Sequence, residues 1–229
     1  GVRGDTPEAQ RDLVRRYVKA KDGGTALAQV RELATLRPIP HGLLLPLMDW
    51  EPNPSRRAAM VNVAWQALPA FLELLRLTGD DKPYGRLLHW AAHSELVDAI
   101  PRIAAYAHYR DGVVALEKQV ARQVADNPSP FSRRLLVELL PLAGHDDEAV
   151  AAARELNDWP YLEQALVRAG KWQELAKELG QRWEAPSELQ RVQLAGAQRL
   201  AGQEELGLET LGNVMAYDEK GVGVRLAEI

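Results

Sequence analysis

The sequence predicts an all-α protein in which antiparallel helix hairpins stack into a superhelical array, an α-solenoid. Apolar residues recur at the 3.6-residue period of an amphipathic helix in almost every segment, with scarcely any convincing strand pattern between them. An Ala-Gly pair also recurs in the second half of the chain, each time between two such segments. At the usual helix length, a chain of 229 residues accommodates about twelve helices.

The composition is that of a folded chain with a sizeable core. Hydrophobic residues make up 46% of the chain and charged residues 26%, which excludes a disordered tail. The absence of cysteine excludes a disulfide scaffold, a thiolate zinc site and a cysteine nucleophile. No apolar run reaches the roughly 20 residues that a membrane span needs, so we expect no membrane insertion. We expect a cytoplasmic location, with the periplasm or an excised domain as alternatives.

Charge divides unequally along the chain, whose formal net charge is −4. Before Ala115 there are 15 basic and 13 acidic residues, and from Ala115 onwards there are 13 basic and 19 acidic ones. The whole chain therefore lacks the basic excess that nonspecific phosphate binding needs. We interpret arginine clusters such as Arg56–Arg57 and Arg133–Arg134 as solvated faces or helix starts. A nucleic-acid partner is disfavoured unless many of the 21 arginines converge on one groove.

The chain is expected to consist of two helical halves. The run Asn-Pro-Ser-Pro at 127–130 is the clearest internal interruption of regular structure. It separates a half of helical hairpins, residues 1–126, from a half at residues 127–229 whose helices are shorter and more regular. We expect the two halves to form one continuous solenoid, with some freedom to flex at 127–130.

Signals at helix ends place the helices of the first half. Pro7 opens the first helix, and Thr25 can cap the second. A proline-rich connector follows and holds one short helix at Leu43–Met48, whose length its internal proline limits. Ser55 caps a long helix that Pro69 kinks or restarts. Three further helices are expected at Pro83–His93, Ser94–Tyr109 and Gly112–Asp126.

The helices of the second half follow one another with short turns. Ser132 and Ser187 are interpreted as cap residues near helix starts. The terminal segment Gly221–Ile229 is expected to form one more helical turn or to fray. The other expected helices are Phe131–Ala143, Asp146–Asn157, Pro160–Ala169, Trp172–Arg182, Pro186–Ala201 and Glu204–Tyr217.

The recurring Ala-Gly pair marks tight turns at Gly144, Gly170 and Gly202. Each glycine follows an apolar helix, and acidic residues open the next helix after a short polar turn. Glycine takes the left-handed conformation at a helix C-terminus without a Cβ clash, and carboxylates in a first turn suit the helix dipole. The same argument makes Asp146-Asp147-Glu148 a helix start, because no oxygen-ligand loop for Mg²⁺ accompanies these acids.

The central unit of the second half resembles a tetratricopeptide repeat. Trp159, Leu162, Leu166 and Gly170 stand at the spacing of that family, and Pro186 lies near the place where its motif ends. The resemblance covers roughly residues 129–217. It implies stacked helix pairs that expose a concave groove, in which such proteins bind extended peptides or partner helices. It therefore implies an interaction scaffold and not a catalyst.

His89 and His93 are the residues that most resemble a metal site. Their spacing of four places both rings on one face of the expected helix, but no third ligand stands at a recognised spacing. We interpret them as a partly buried structural pair and expect no metal site. No phosphate-binding glycine motif and no nucleophile motif occurs, so we expect neither a cofactor nor catalytic residues.

The six tryptophans bear more directly on binding. Most of them are expected to be core wedges between helix layers. Trp172 and Trp183 bracket one helix and have basic neighbours in Lys177 and Arg182. These four residues are the candidate partner-binding group, with exposed tryptophan as the anchor.

The function predicted from the sequence is therefore a non-catalytic protein-protein interaction scaffold. A peptide or partner helix would be captured in the concave helical groove, where apolar anchors supply affinity and charges supply selectivity. One alternative is a regulatory or structural helical domain of a larger enzyme or transcriptional regulator. A second alternative is a helical-repeat nucleic-acid binder.

Overall fold

The computed structural model describes residues 23–36, 39–183, 186–212, 215–217 and 223–225, together with residues 8, 12, 14–16, 19 and 21. These residues are almost all helical, as the sequence predicts. The α-helices from residue 23 onwards are α1 (Gly23–Leu33), α2 (His41–Trp50), α3 (Pro54–Gln66), α4 (Leu68–Thr78), α5 (Lys82–His93), α6 (Ile100–Tyr109), α7 (Val113–Asp126), α8 (Pro130–Leu142), α9 (Asp146–Leu156), α10 (Trp159–Arg168), α11 (Trp172–Arg182), α12 (Glu188–Leu200) and α13 (Glu204–Leu211).

The described part of the chain also contains two short strands near its C-terminus. Strand β1 (Met215–Tyr217) pairs antiparallel with β2 (Gly223–Arg225), with Ala216 opposite Val224. The expected helix Glu204–Tyr217 therefore ends earlier, at Leu211, and residues 223–225 form a strand instead of a helical turn. The sequence Gly-Val-Gly-Val at 221–224 explains this difference, since glycine disfavours helices and valine favours strands. The remainder of Gly221–Ile229 lies outside the described residues.

Two of the expected helix starts in this fold move by a few residues. Helix α1 begins at Gly23, so Thr25 lies in its first turn and is not its N-cap. The N-cap of α3 is Asn53, whose side chain accepts a hydrogen bond of 3.0 Å from the Arg56 backbone N–H, and not Ser55. The helix expected from Pro7 lies mostly outside the described residues, although residues 14–16 are helical.

Serine caps open two helices of the second half. Ser187 is the N-cap of α12 and forms a reciprocal capping box with Gln190, as its interpretation as a cap residue requires. Ser132 is not itself the N-cap. It is buried and exchanges hydrogen bonds with Ser129, the residue directly before α8. Its backbone N–H donates to Ser129 Oγ at 3.1 Å, while the Ser129 N–H donates to Ser132 Oγ at 2.9 Å. The sequence interpretation therefore named the wrong serine of this pair.

Helix α2 is longer than the helix expected at Leu43–Met48, and Pro46 lies inside it. Proline at this position removes the backbone donor that would bond to the carbonyl of Gly42, and its ring crowds that carbonyl, at a cost of about 3 kcal/mol. Four apolar side chains of this helix are completely or almost completely buried and hold it in place: Leu44, Leu45, Leu47 and Met48. The burial of these side chains therefore keeps the segment helical although it contains a proline.

Pro69 restarts the helix, as the sequence predicts. Helix α3 ends at Gln66, and α4 begins at Leu68 with proline in its first turn. The two axes differ in direction by 62° across this break. Within the described residues, no single helix is long and apolar enough to cross a membrane, and α3 and α4 meet that test only when taken together.

The chain forms two compact units. The first contains the described residues up to Leu116 together with Asn127–Leu135, and the second contains Glu117–Asp126 with the described residues from Leu136 onwards. In the first unit α3 packs against both α1 and α5. In the second unit each helix from α9 to α12 packs against the next one in the chain. Its core lies among α8 to α12 and includes Val137, Leu140, Val150, Leu166, Leu175 and Leu179.

Candidate partner-binding surfaces

The turn at Gly170 positions Trp172, the first of the predicted anchors. Gly170 has a φ of 64°, and α11 begins directly after the turn with Trp172 as its first residue. The indole is half-buried and packs against the core of the second unit. It also lines a surface groove of about 320 Å³ together with Leu200 and Ala201 at the end of α12. An apolar ring is thereby available at the surface beside an aliphatic side chain.

Ion pairs hold the rim of this groove. The Lys171 ammonium lies 2.6 Å from Asp147 Oδ1, and the Arg154 guanidinium lies 2.6 Å from Glu174 Oε2. The hydrogen bond that Lys171 donates to Asp147 is the main cause that raises the pKa of Lys171, so this side chain stays charged. Both rim charges are paired inside the unit, and the groove offers polar and apolar surface to a ligand in about equal measure.

The other predicted binding residues do not line this groove. Trp183 follows α11 directly and packs, half-buried, against the core of the second unit. The Arg182 guanidinium lies over the Trp159 ring, with Cζ 4.5 Å from the ring centroid. Lys177 is exposed on α11. The structure therefore places three of the four predicted residues on α11 and Trp183 directly after it, but does not gather them around one site.

An exposed apolar stripe on α12 was not identified from the sequence. Leu189, Val192 and Leu200 are exposed by 70%, 39% and 61%, and Gly196 lies between the last two on the same face. This set is called the α12 stripe below. The sequence contains a signal for this stripe, because successive spacings of three, four and four residues predict that the four positions share one face of a helix. The opposite face of α12 contains Ala195, Ala197 and Gln198, which are buried.

The α12 stripe lies on a helix that its neighbour supports closely. A Cβ atom added to Gly207 of α13 would lie 3.1 Å from the backbone oxygen of Ala195, so glycine permits this close approach. Thr210 of α13 also donates a hydrogen bond of 2.8 Å to the Gln198 side chain. These contacts all lie on the buried side of α12 and leave the stripe uncovered within the described residues.

The histidine pair lies on the first unit. His89 and His93 lie on α5 with ring centroids 4.3 Å apart, and both are more exposed than the expected partly buried pair, although part of the His89 ring remains covered. Helix α5 buries its other face, which carries Leu87, Leu88 and Ala91. Burial is the main cause that lowers the pKa of His89, and the nearby charge of His93 adds to it. Among the described residues no group of three potential ligands could hold a metal ion.

Trp90 lies between these histidines in the sequence and is held by polar contacts. Its indole Nε1 donates a hydrogen bond of 2.6 Å to Asp49 Oδ1, and Arg86 pairs with the other oxygen of the same carboxylate. The Arg57 guanidinium lies over the ring, 4.6 Å from its centroid. These arginines thus have partners within the unit, which favours a structural role for them over phosphate binding.

Comparison with protein-family models, with curated proteins and with solved structures found no match to this chain. The resemblance to a tetratricopeptide repeat therefore depends on the sequence motif alone. The surfaces described above are the observations from which a function can be argued.

Proposed function

We propose that this chain is a non-catalytic protein-protein interaction scaffold that captures an amphipathic helix of a partner protein on the α12 stripe. The exposed row Leu189–Val192–Leu200 is the observation that carries the proposal. Large apolar side chains that are exposed singly are common, but a continuous row of them marks an interaction surface. The consecutive packing of α9 to α13 supports a tetratricopeptide-like solenoid as the scaffold.

The dimensions of the stripe fit a partner helix. Leu189 and Leu200 lie about 16 Å apart along the helix axis, at about 1.5 Å per residue. That length corresponds to three turns of a partner helix. A Cβ atom added to Gly196 would contact nothing within 4 Å, so the partner can approach closely at the middle of the stripe.

Hydrophobic burial would provide the affinity. Complete burial of a leucine side chain contributes about 1.5–3 kcal/mol relative to leaving it exposed. Most of this free energy is still available when a partner binds, because the side chains of Leu189 and Leu200 are exposed by 70% and 61% in the free chain. Leu200 also lines the groove beside Trp172, so the stripe continues into a second apolar contact. The partner would thus be held along the helix and anchored at one end by an aromatic ring.

One charge at the start of α12 would orient the partner. Glu188 lies in the first turn of this helix, whereas Arg199 in its last turn already lies 4.0 Å from Glu204. An antiparallel partner helix would bring its own C-terminal basic residues to Glu188. Such complementarity contributes mainly to selectivity and to the rate of association.

The test compares proteins retained by three forms of the chain. The double variant Leu189→Glu/Leu200→Glu introduces two charges on the stripe, and Leu77→Glu introduces one at a leucine of the first unit that is exposed by 66%. We expect the natural chain and Leu77→Glu to retain the same partner, and the double variant to lose it. Equal retention by all three would overturn the proposal. A change of oligomeric state in the double variant alone would also overturn it, because a second copy would then occupy the stripe.

A further inference from the structure

A tyrosine-lined groove lies in the first unit, remote in sequence from the α12 stripe. It has a volume of about 400 Å³ and lies among the end of α4, the start of α5 and one face of α6. Three of its side chains are aromatic and one is charged. The groove is lined by Tyr84, Tyr106, Tyr109, Pro101, Arg102 and Leu75, among others. This set is called the tyrosine groove.

The floor of the tyrosine groove is held in place by fixed contacts. Tyr84 is buried and meets the Tyr106 ring edge-on, with centroids 5.7 Å apart and planes at 90°. The Tyr106 hydroxyl donates a hydrogen bond of 3.1 Å to Asp81 Oδ2. A Cβ atom at Gly85 would lie 2.5 Å from that hydroxyl oxygen, so glycine leaves room for the ring. The groove is therefore pre-organised, which lowers the entropic cost of binding.

One aromatic ring of the groove is open to solvent. Tyr109 is exposed by 72%, the largest exposed fraction among the exposed large apolar residues of the described chain. Its ring centroid lies 6.4 Å from that of Tyr106, with planes inclined by 31°. The two tilted rings are thus neighbours on one side of the groove, and an apolar group of a ligand can pack against them.

The charge at the groove is a cation that has no ion-pair partner in the described part of the chain. Arg110 lies 3.0 Å from Asp81, and Tyr106 donates to the same carboxylate oxygen. The Asp81 carboxylate therefore already has two partners. Arg102 lines the groove, is exposed and forms no ion pair with any described residue. A ligand with an anionic group beside an apolar segment would complement this arrangement.

The length of the groove indicates which peptide conformation would fit it. Arg102 and Tyr109 lie about 10 Å apart along the axis of α6, at about 1.5 Å per residue. A polyproline II segment rises about 3.1 Å per residue, so three residues of it span this distance. Proline-rich segments in this conformation bind in grooves lined with aromatic side chains and lose little entropy on binding.

We propose that the tyrosine groove binds an extended, proline-rich segment of a partner protein that carries an acidic residue at one end. The prolines stack on the rings of Tyr106 and Tyr109, and the acidic side chain pairs with Arg102. This proposal does not depend on the α12 stripe, because the two surfaces use different residues in different units. A protein that uses both would bind one helical and one extended segment.

The test uses two synthetic peptides and fluorescence polarisation. Both contain the core Pro-Ala-Ala-Pro-Pro, preceded by Asp in the acidic peptide and by Lys in the basic one. We expect the full chain to bind the acidic peptide about tenfold more tightly than the basic one. Arg102→Glu should reverse this preference, whereas Arg122→Glu, an exposed arginine on α7, should leave it unchanged. Tyr109→Ala should weaken binding of the acidic peptide about fivefold or more.

Three results would overturn the proposal. The first is equal binding of the two peptides, or no saturable binding of either. The second is unchanged affinity in Tyr109→Ala and Arg102→Glu. The third is equally tight binding of a peptide in which alanine replaces each proline, which would mean that the groove does not select a proline-rich segment. Circular dichroism melting of each variant confirms that it folds, and both substituted side chains are exposed, so the fold is expected to survive.

Discussion

The Arg182 guanidinium lies over the indole ring of Trp159, with Cζ 4.5 Å from the ring centroid. This contact joins the last residue of α11 to the first residue of α10. Both helices belong to the second unit, and Trp159 packs half-buried against its core. The stacked arginine covers the outer face of that ring, so the pair closes one end of the α10–α11 hairpin.

We expect this pair to contribute measurably to stability. A double-mutant cycle with Arg182→Gln and Trp159→Leu should give a coupling energy of about 0.5–1 kcal/mol in urea unfolding, the usual range for a cation–π contact near the surface. Arg182→Lys should retain part of the coupling, because lysine keeps the charge but lacks the flat guanidinium. Additive effects of the two single substitutions would show that the contact contributes nothing.

Two glycines of the second unit should respond to substitution in opposite directions. Gly170 has a φ of 64°, where a side chain is strained, and Gly170→Val should destabilise the fold by more than about 1 kcal/mol. Gly180 lies inside α11, and an added Cβ would contact nothing within 4 Å. Gly180→Ala should therefore stabilise the fold by about 0.5–1 kcal/mol. Denaturation midpoints that move in the same direction would contradict this assignment.

Helix and turn positions were predictable where the signal is local. The left-handed turn at Gly170 and the acidic start of α9 at Asp146 both follow from residues within a few positions of each other. Pro46 shows where local signals fail, since the burial of Leu44 and Leu47 keeps α2 helical on both sides of the proline. Such packing partners come from distant parts of the chain, which a local pattern does not contain.

The candidate binding surfaces were predictable only in part. Trp172 was identified because it and Trp183 bracket one helix and have basic neighbours, and of the two only Trp172 lines a groove. The α12 stripe was missed because α12 carries small apolar residues such as Ala195 and Ala197 on one face and Leu189 and Val192 on the other. Periodicity identifies both faces as apolar, and only the positions of the neighbouring helices determine which of them is covered.

The histidine pair should make stability depend on pH. Because burial lowers the pKa of His89 in the folded chain, the unfolded chain binds the proton more readily. Stability should therefore fall as the pH decreases below the ordinary histidine pKa of about 6.5 and through the lowered value. His89→Gln should lose this dependence, as measured by urea midpoints at about pH 7.5 and about pH 5. In His93→Gln an NMR titration should show the pKa of His89 nearer to its ordinary value; an identical titration curve would refute the role of His93.

A buried carboxylate explains why α1 must begin with glycine. Glu51 is completely buried, and its Oε1 accepts a hydrogen bond of 2.9 Å from the Asn53 N–H and lies 3.2 Å from Arg56. Its other oxygen, Oε2, has no hydrogen-bond partner among the described residues. A Cβ atom on Gly23 would lie 2.5 Å from this oxygen and would also meet Arg56 Nε. The first turn of α1 thus rests directly on the Glu51–Arg56 ion pair.

Gly23→Ala should consequently destabilise the fold, although alanine is the better helix former. Overpacking of a filled site costs about 1–3 kcal/mol, which exceeds the gain of about 0.5–1 kcal/mol from replacing glycine in a helix. Gly196→Ala is the matched control. A Cβ atom there meets open space, so only the stabilisation from replacing glycine in a helix remains. A stabilising Gly23→Ala in urea unfolding would show that this contact relaxes without cost.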